Sequence, residues 1–127
     1  MHTAFQSLRR FIWKRSPLLR RPAERTAAKL EEMLRTDYPA QASVMRQLRL
    51  AAERGDDAEA ERRFSSGYIW GGAGSVSDVS FLSPKVDQHN WRLLIRLVRN
   101  FALAGIAYPP ATDRASIYKK WLKLPGA

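Results

Sequence analysis

The sequence predicts an all-α fold: a single compact domain of five or six helices with one glycine-rich loop. Three observations carry this. Apolar residues recur at helical spacing along most of the chain. Strand signals are weak, because Val76, Val79 and Phe81 do not alternate cleanly with polar residues. A length of 127 residues with 45% apolar content is enough for one buried core.

Residues 1–21 read as a basic N-terminal helix. Over 4–15, Phe5, Leu8 and Ile12 share a face, with Phe11 beside them, while Arg9, Arg10, Lys14 and Arg15 lie largely elsewhere. Such a helix either docks on the core or lies on a membrane surface, and docking is the more ordinary role. Ser16-Pro17 ends it. A second helix is expected over 23–36, with Pro22 near its first turn and Ala27, Leu30 and Leu34 inward. Asp37-Tyr38-Pro39 breaks it. A third spans 40–54, with Val44, Leu48 and Ala51 inward and Met45 and Ala52 flanking. Gly55 suits its C-terminal stop, and Asp56 and Asp57 suit the start of the short helix over 58–64.

Residues 67–82 form the glycine-rich loop. Gly71, Gly72 and Gly74 crowd within four positions, which calls for positive φ or close backbone approach. Ser75 and Asp78 stand at capping-box spacing. The structural reading is that Tyr68, Ile69 and Trp70 turn inward while the Asp78 carboxylate accepts hydrogen bonds from the loop's own N–H groups. Beyond Ser83-Pro84, Asp87 is the expected N-cap of the strongest helix, 88–104. Trp91, Leu94, Ile95, Val98, Phe101 and Ala102 make its apolar face, and Arg92, Arg96 and Arg99 fall at i, i+4, i+7 on another. Gly105 ends it. Tyr108-Pro109-Pro110 is an extended link. The segment 111–127 holds a C-terminal helix, 114–123, capped by Thr112 or Asp113, with Ile117, Trp121 and Leu124 inward.

Charge is uneven. The net +10 is concentrated at the two ends, and residues 22–84 are mildly acidic. Such a surface suits an acidic protein, nucleic acid or an anionic membrane. There is no cysteine, which removes thiolate zinc sites, disulfides and thiol nucleophiles and fits a cytoplasmic setting. No apolar run is long enough for a transmembrane segment, and the N-terminus lacks the apolar core of a secretory signal.

No catalytic set is expected. The glycine stretch lacks the Gly-Lys-Ser/Thr of a Walker loop and is not preceded by a strand, so it is neither an NTPase loop nor a dinucleotide fingerprint. His2 and His89 stand far apart and at no metal-ligand spacing. Asp56, Asp57, Glu59 and Glu61 read as helix-start charges. No cofactor or metal is expected.

The segment Gly71-Gly72-Ala73-Gly74-Ser75-Val76-Ser77-Asp78 resembles the Gly-Gly-x-Gly-Ser-x-x-Asp signature of a family of small uncharacterised bacterial helical proteins. Gly55-Asp56 resembles the break that precedes the signature there, and Ala73 stands where methionine is common. The resemblance covers about residues 44–82. It implies no activity. Small proteins of this type are frequently immunity proteins, so the expected function is non-catalytic. The chain would be an immunity- or antitoxin-like protein that binds a cognate toxin with an acidic surface, through Tyr68, Trp70, Arg92, Arg96 and Arg99. The alternative is a nucleic-acid-binding protein using its basic helix faces.

Overall fold

The chain between residues 17 and 105, Gly72 excepted, is described by a computed structural model. Among these residues there are four helices of eight residues or more and no strand: α1 (Pro17–Leu34), α2 (Pro39–Glu53), α3 (Asp57–Phe64) and α4 (Pro84–Ala104). Between α3 and α4 lie a single α-turn, Gly67–Trp70, and a short 3-10 turn, Val76–Asp78. The helices expected over 4–15 and 114–123 lie outside the described residues, as does the Tyr108–Pro110 link.

Helix α1 begins earlier than the sequence predicts. Residues 17–22 are helical, so Pro22 sits inside the helix rather than at its start. Proline there removes one helical hydrogen bond. The Pro22 carbonyl is engaged from outside, accepting from Asn100 Nδ2 at 3.0 Å. Pro17 opens the helix, at the position where a missing N–H costs least.

Pro39 likewise opens α2. Met45 and Ala52 are fully in the core with Leu48 and Ala51, whereas Val44 is only half-buried. Gly55 follows in a left-handed conformation, φ 69°. Asp56 caps α3, its Oδ1 accepting from the Glu59 N–H at 3.2 Å. Helix α4 starts four residues before the expected point. Ser83 caps it and Pro84 opens it, so Asp87 is not the N-cap. Gly105 ends it with φ 71°.

Helices α1 and α4 run antiparallel. Just beyond the end of α1, the Tyr38 hydroxyl donates to the Ser80 carbonyl at 2.5 Å and the Tyr38 ring meets Phe81 edge-on. That contact is a few residues before α4 begins. Towards the far end of α4, Asn100 Nδ2 donates to the Pro22 carbonyl and, at 2.8 Å, to Thr26 Oγ1, in the first half and middle of α1. One continuous apolar cluster joins all four helices. Leu30 and Leu34 of α1, Leu48 of α2, Phe64 of α3 and Leu94, Leu97 and Phe101 of α4 are fully buried in it.

Candidate functional site

The segment 64–81 is built from the core outward. Trp70 is 1% exposed, and its indole N–H donates to the Phe64 carbonyl at 2.6 Å. Phe64 meets Trp70 edge-on and stacks on Phe101 with centroids 4.4 Å apart. Ile69 is fully buried. A Cβ on Gly71 would overlap the backbone of Gly67, so only glycine fits where the turn closes. Gly74 has φ 83°, and its carbonyl accepts from Gln41 Nε2 at 2.7 Å.

Several expectations for this segment change. Trp70 is a core residue and has no surface to offer a partner. Tyr68 does not turn inward: it is 76% exposed, one residue from the buried Ile69. It borders a cleft of about 280 Å³ with Val44, Gln47, Arg62 and Arg63. Ser75 makes no capping bond; its hydroxyl is 3.2 Å from that of Ser77. The Asp78 carboxylate is exposed and meets no donor among the described residues. The carboxylate that braces this segment is Asp87, whose Oδ1 accepts from the Phe81 N–H at 3.1 Å. Asp87 lies on the first turn of α4, where a carboxylate can reach back to the incoming chain. The sequence clue was its place three residues beyond Pro84, and it was read as a cap instead.

Arg92, Arg96 and Arg99 are exposed on α4. The apolar face beneath them is turned from the expected one. Leu93, Leu97 and Ala104 are buried, whereas Ile95, Val98 and Ala102 are only half-buried. At its centre is Asn90, fully buried, with neither amide atom hydrogen-bonded. A polar residue at the heart of the face hides the true period.

The arginines belong to a longer row. Lys85, His89, Arg92, Arg96, Arg99 and Leu103 are all exposed and recur every three or four residues. The only acid on α4 is Asp87, committed to Phe81. Across the seam, α1 presents Arg21, Arg25 and Lys29, all exposed and one turn apart. Glu32 is the acid that follows them. Asn100 fixes the two helices side by side, and Arg96 lies one turn back from it along α4. The two rows therefore flank one seam.

Elsewhere arginines meet carboxylates. Arg49 reaches Glu31 at 2.9 Å and Glu53 at 2.8 Å, which raises its pKa. Arg62 and Arg63 both grip Glu59, and Arg62 is the larger cause of a carboxyl pKa below the usual range. Arg21, Lys29 and Arg96 form no ion pair among the described residues.

Tyr68 and the arginine row do not come together. The cleft beside Tyr68 is lined from α2, α3 and the turn, and by no residue of α1 or α4. Among the described residues no three His, Asp or Glu side chains gather as metal ligands. No helix there is long and apolar enough to cross a membrane. Protein-family models, curated proteins and solved structures give no match to the chain.

Proposed function

We propose that this chain is a non-catalytic protein that binds an acidic partner protein along the α1–α4 seam. One observation carries the reading: the uneven use of arginine. Arg49 of α2 and Arg62 and Arg63 of α3 are matched by carboxylates of the same chain, whereas the exposed Arg46 of α2 and Arg21, Lys29 and Arg96 beside the α1–α4 seam have no ion pair among the described residues. Such unmatched cations repel one another, so they raise the free energy of the isolated fold and favour a negative partner. The sharpest form is an immunity- or antitoxin-like protein, cytoplasmic. That role needs a stable small fold and a specific charged face, and no active site. Of the residues expected at the interface, Arg92, Arg96 and Arg99 are exposed beside the seam, Tyr68 is exposed away from it, and Trp70 is buried.

The test compares wild type with the Arg92→Ala/Arg96→Ala/Arg99→Ala variant, against random duplex DNA and against the captured partner, at low and near-physiological salt. We expect the variant to stay folded and to lose the protein partner through faster dissociation. Duplex binding should be weak and should vanish as salt rises, with a log–log slope near −0.9 per phosphate contact. Tight, salt-resistant binding to a particular nucleic acid, abolished in the same variant, would overturn the reading in favour of a nucleic-acid-binding protein.

A further inference from the structure

The cleft beside Tyr68 lies apart from the α1–α4 seam, and its lining has a chemistry of its own. Its volume is about 280 Å³. That is just under the usual range of ligand clefts, about 300–1,000 Å³, and suits a single ring with one small polar group. Tyr68 and Val44 give it an apolar side. Tyr68 is 76% exposed, yet it precedes the buried Ile69 and Trp70, so the turn that carries it is anchored in the core. An exposed ring on an anchored turn is a platform on which a flat group stacks at little conformational cost.

The other lining side chains are Ser43, Gln47, Arg62, Arg63 and Ser66, all able to donate, and no carboxylate lines the cleft. The two guanidiniums share Glu59, which holds them without using up their N–H groups. Arg63 reaches Glu59 through Nε alone, so neither of its terminal nitrogens meets an acceptor among the described residues. Arg62 uses Nε and Nη2, so its Nη1 meets none there either. The Gln47 amide has no hydrogen bond among the described residues, and the Ser66 hydroxyl does not cap the turn that follows it. The group that matches such a donor-rich set is an anion with several oxygens. Two guanidiniums offer more N–H groups than the two oxygens of a carboxylate use. A phosphate monoester presents three oxygens and a charge of about −1.5 to −2.

We propose that this cleft binds a phosphate monoester of a flat ring compound, with the ring on Tyr68 and the phosphate on Arg62 and Arg63. A nucleoside monophosphate and an aryl phosphate share that chemistry. The site is independent of the seam, since no residue of α1 or α4 lines it. Glu59 is a positioning residue here: guanidiniums already held in place lose less freedom when the phosphate arrives.

The test is isothermal titration calorimetry of the full chain at near-physiological salt, with adenosine 5′-monophosphate, phenyl phosphate, adenosine and inorganic phosphate. We expect the two ringed phosphates to bind at one site, at least about tenfold tighter than inorganic phosphate or adenosine. A preference between the two ringed phosphates identifies which kind of ring the cleft takes, and either supports the site. Tyr68→Ala should bring the ringed phosphates down to the level of inorganic phosphate. Arg63→Gln should weaken both ringed phosphates at least about tenfold and leave adenosine unchanged. Arg35→Gln removes an exposed arginine outside the cleft and should change nothing. Absence of saturable binding by every phosphate probe overturns the proposal. So does an equal loss in Arg63→Gln and Arg35→Gln, which would reduce the effect to overall charge. Wild-type binding that is indifferent to the ring overturns it as well. Circular dichroism of Tyr68→Ala and Arg63→Gln, matching wild type, keeps both arms tests of contact rather than of folding.

Discussion

On α2 and α3, Arg49, Arg62 and Arg63 face carboxylates of their own chain, and Arg46 is exposed without one among the described residues. Arg49 ties α2 to Glu31 of α1, and Arg62 and Arg63 close on Glu59. On the α1–α4 seam, Arg21, Lys29 and Arg96 meet no carboxylate among the described residues, and the row from Lys85 to Leu103 stays exposed. The residue type is the same, and Arg96 is used differently from Arg49, Arg62 and Arg63. Surface pairs of the first kind add little to stability, about 0–1 kcal/mol each, but they cancel the local field. Arg21, Lys29 and Arg96 leave their part of the field uncancelled, and a field of one sign selects partners of the other. The difference separates what holds the fold from what faces outward.

The largest expected effect lies under the charge-matched side. Trp70→Ala should destabilise the chain by about 3–5 kcal/mol, since it removes a buried indole and strands the Phe64 carbonyl. The Arg92/Arg96/Arg99 triple variant should shift stability far less, as exposed substitutions away from special contacts stay within about 0.5 kcal/mol each. Chemical denaturation of both variants checks this. A small loss for Trp70→Ala, or a large one for the triple variant, would break the division between the two regions.

A second prediction has the opposite sign. Asn90 lies fully buried on the inner face of α4, with both amide atoms unpaired. Removing an unsatisfied buried polar group returns about 1–3 kcal/mol when an apolar group of similar size replaces it. Asn90→Leu should therefore raise the denaturation midpoint while the outer row keeps its binding. A drop in stability would mean that the amide is satisfied in solution.

These residues also mark what could be read from the sequence. The helical class, the turn at Asp37–Pro39, the stop at Gly55 and the cap at Asp56 follow from local chemistry, and the sequence contains that chemistry. Asn90 broke the apolar period of α4, so the inner face was assigned too far round towards Ile95, Val98 and Ala102. Trp70 reads from the sequence both as an inward-turning residue and as an interface anchor, because a tryptophan beside glycines has no periodicity to declare its side; the structure buries it. Asp78 and Asp87 exchange roles for a similar reason. Which carboxylate reaches the Phe81 N–H depends on how α4 meets the segment before it, a tertiary fact. The row from Lys85 to Leu103 was partly legible, as its arginines stand out, but its two ends needed the observed start of α4 and the exposure of Leu103.

The smallest expected effect concerns Glu59, and it sharpens the comparison by pH. The Glu59 carboxylate accepts from Arg62 at 2.7 Å and also from Arg63. These hydrogen bonds, Arg62 first, hold its pKa below the model-peptide value of 4.5. A carboxyl with a depressed folded pKa binds its proton more weakly folded than unfolded. Its stabilisation is thus fully present above the unfolded value and is lost as pH falls through the folded one. The Glu59→Gln variant lacks that titration. Its denaturation midpoint should lie below that of wild type at neutral pH, and the gap should close as the pH is lowered past the ordinary carboxylate range. Arg96→Ala, on the seam, has no carboxylate partner among the described residues to protonate, so its offset from wild type should stay level over the same window. The contact is exposed to solvent and screened, so added salt should narrow the Glu59→Gln gap at neutral pH as well. A gap that stays constant on acidification would mean that Glu59 and its arginines do not hold together in solution. The charge-matched side would then differ from the seam in composition alone.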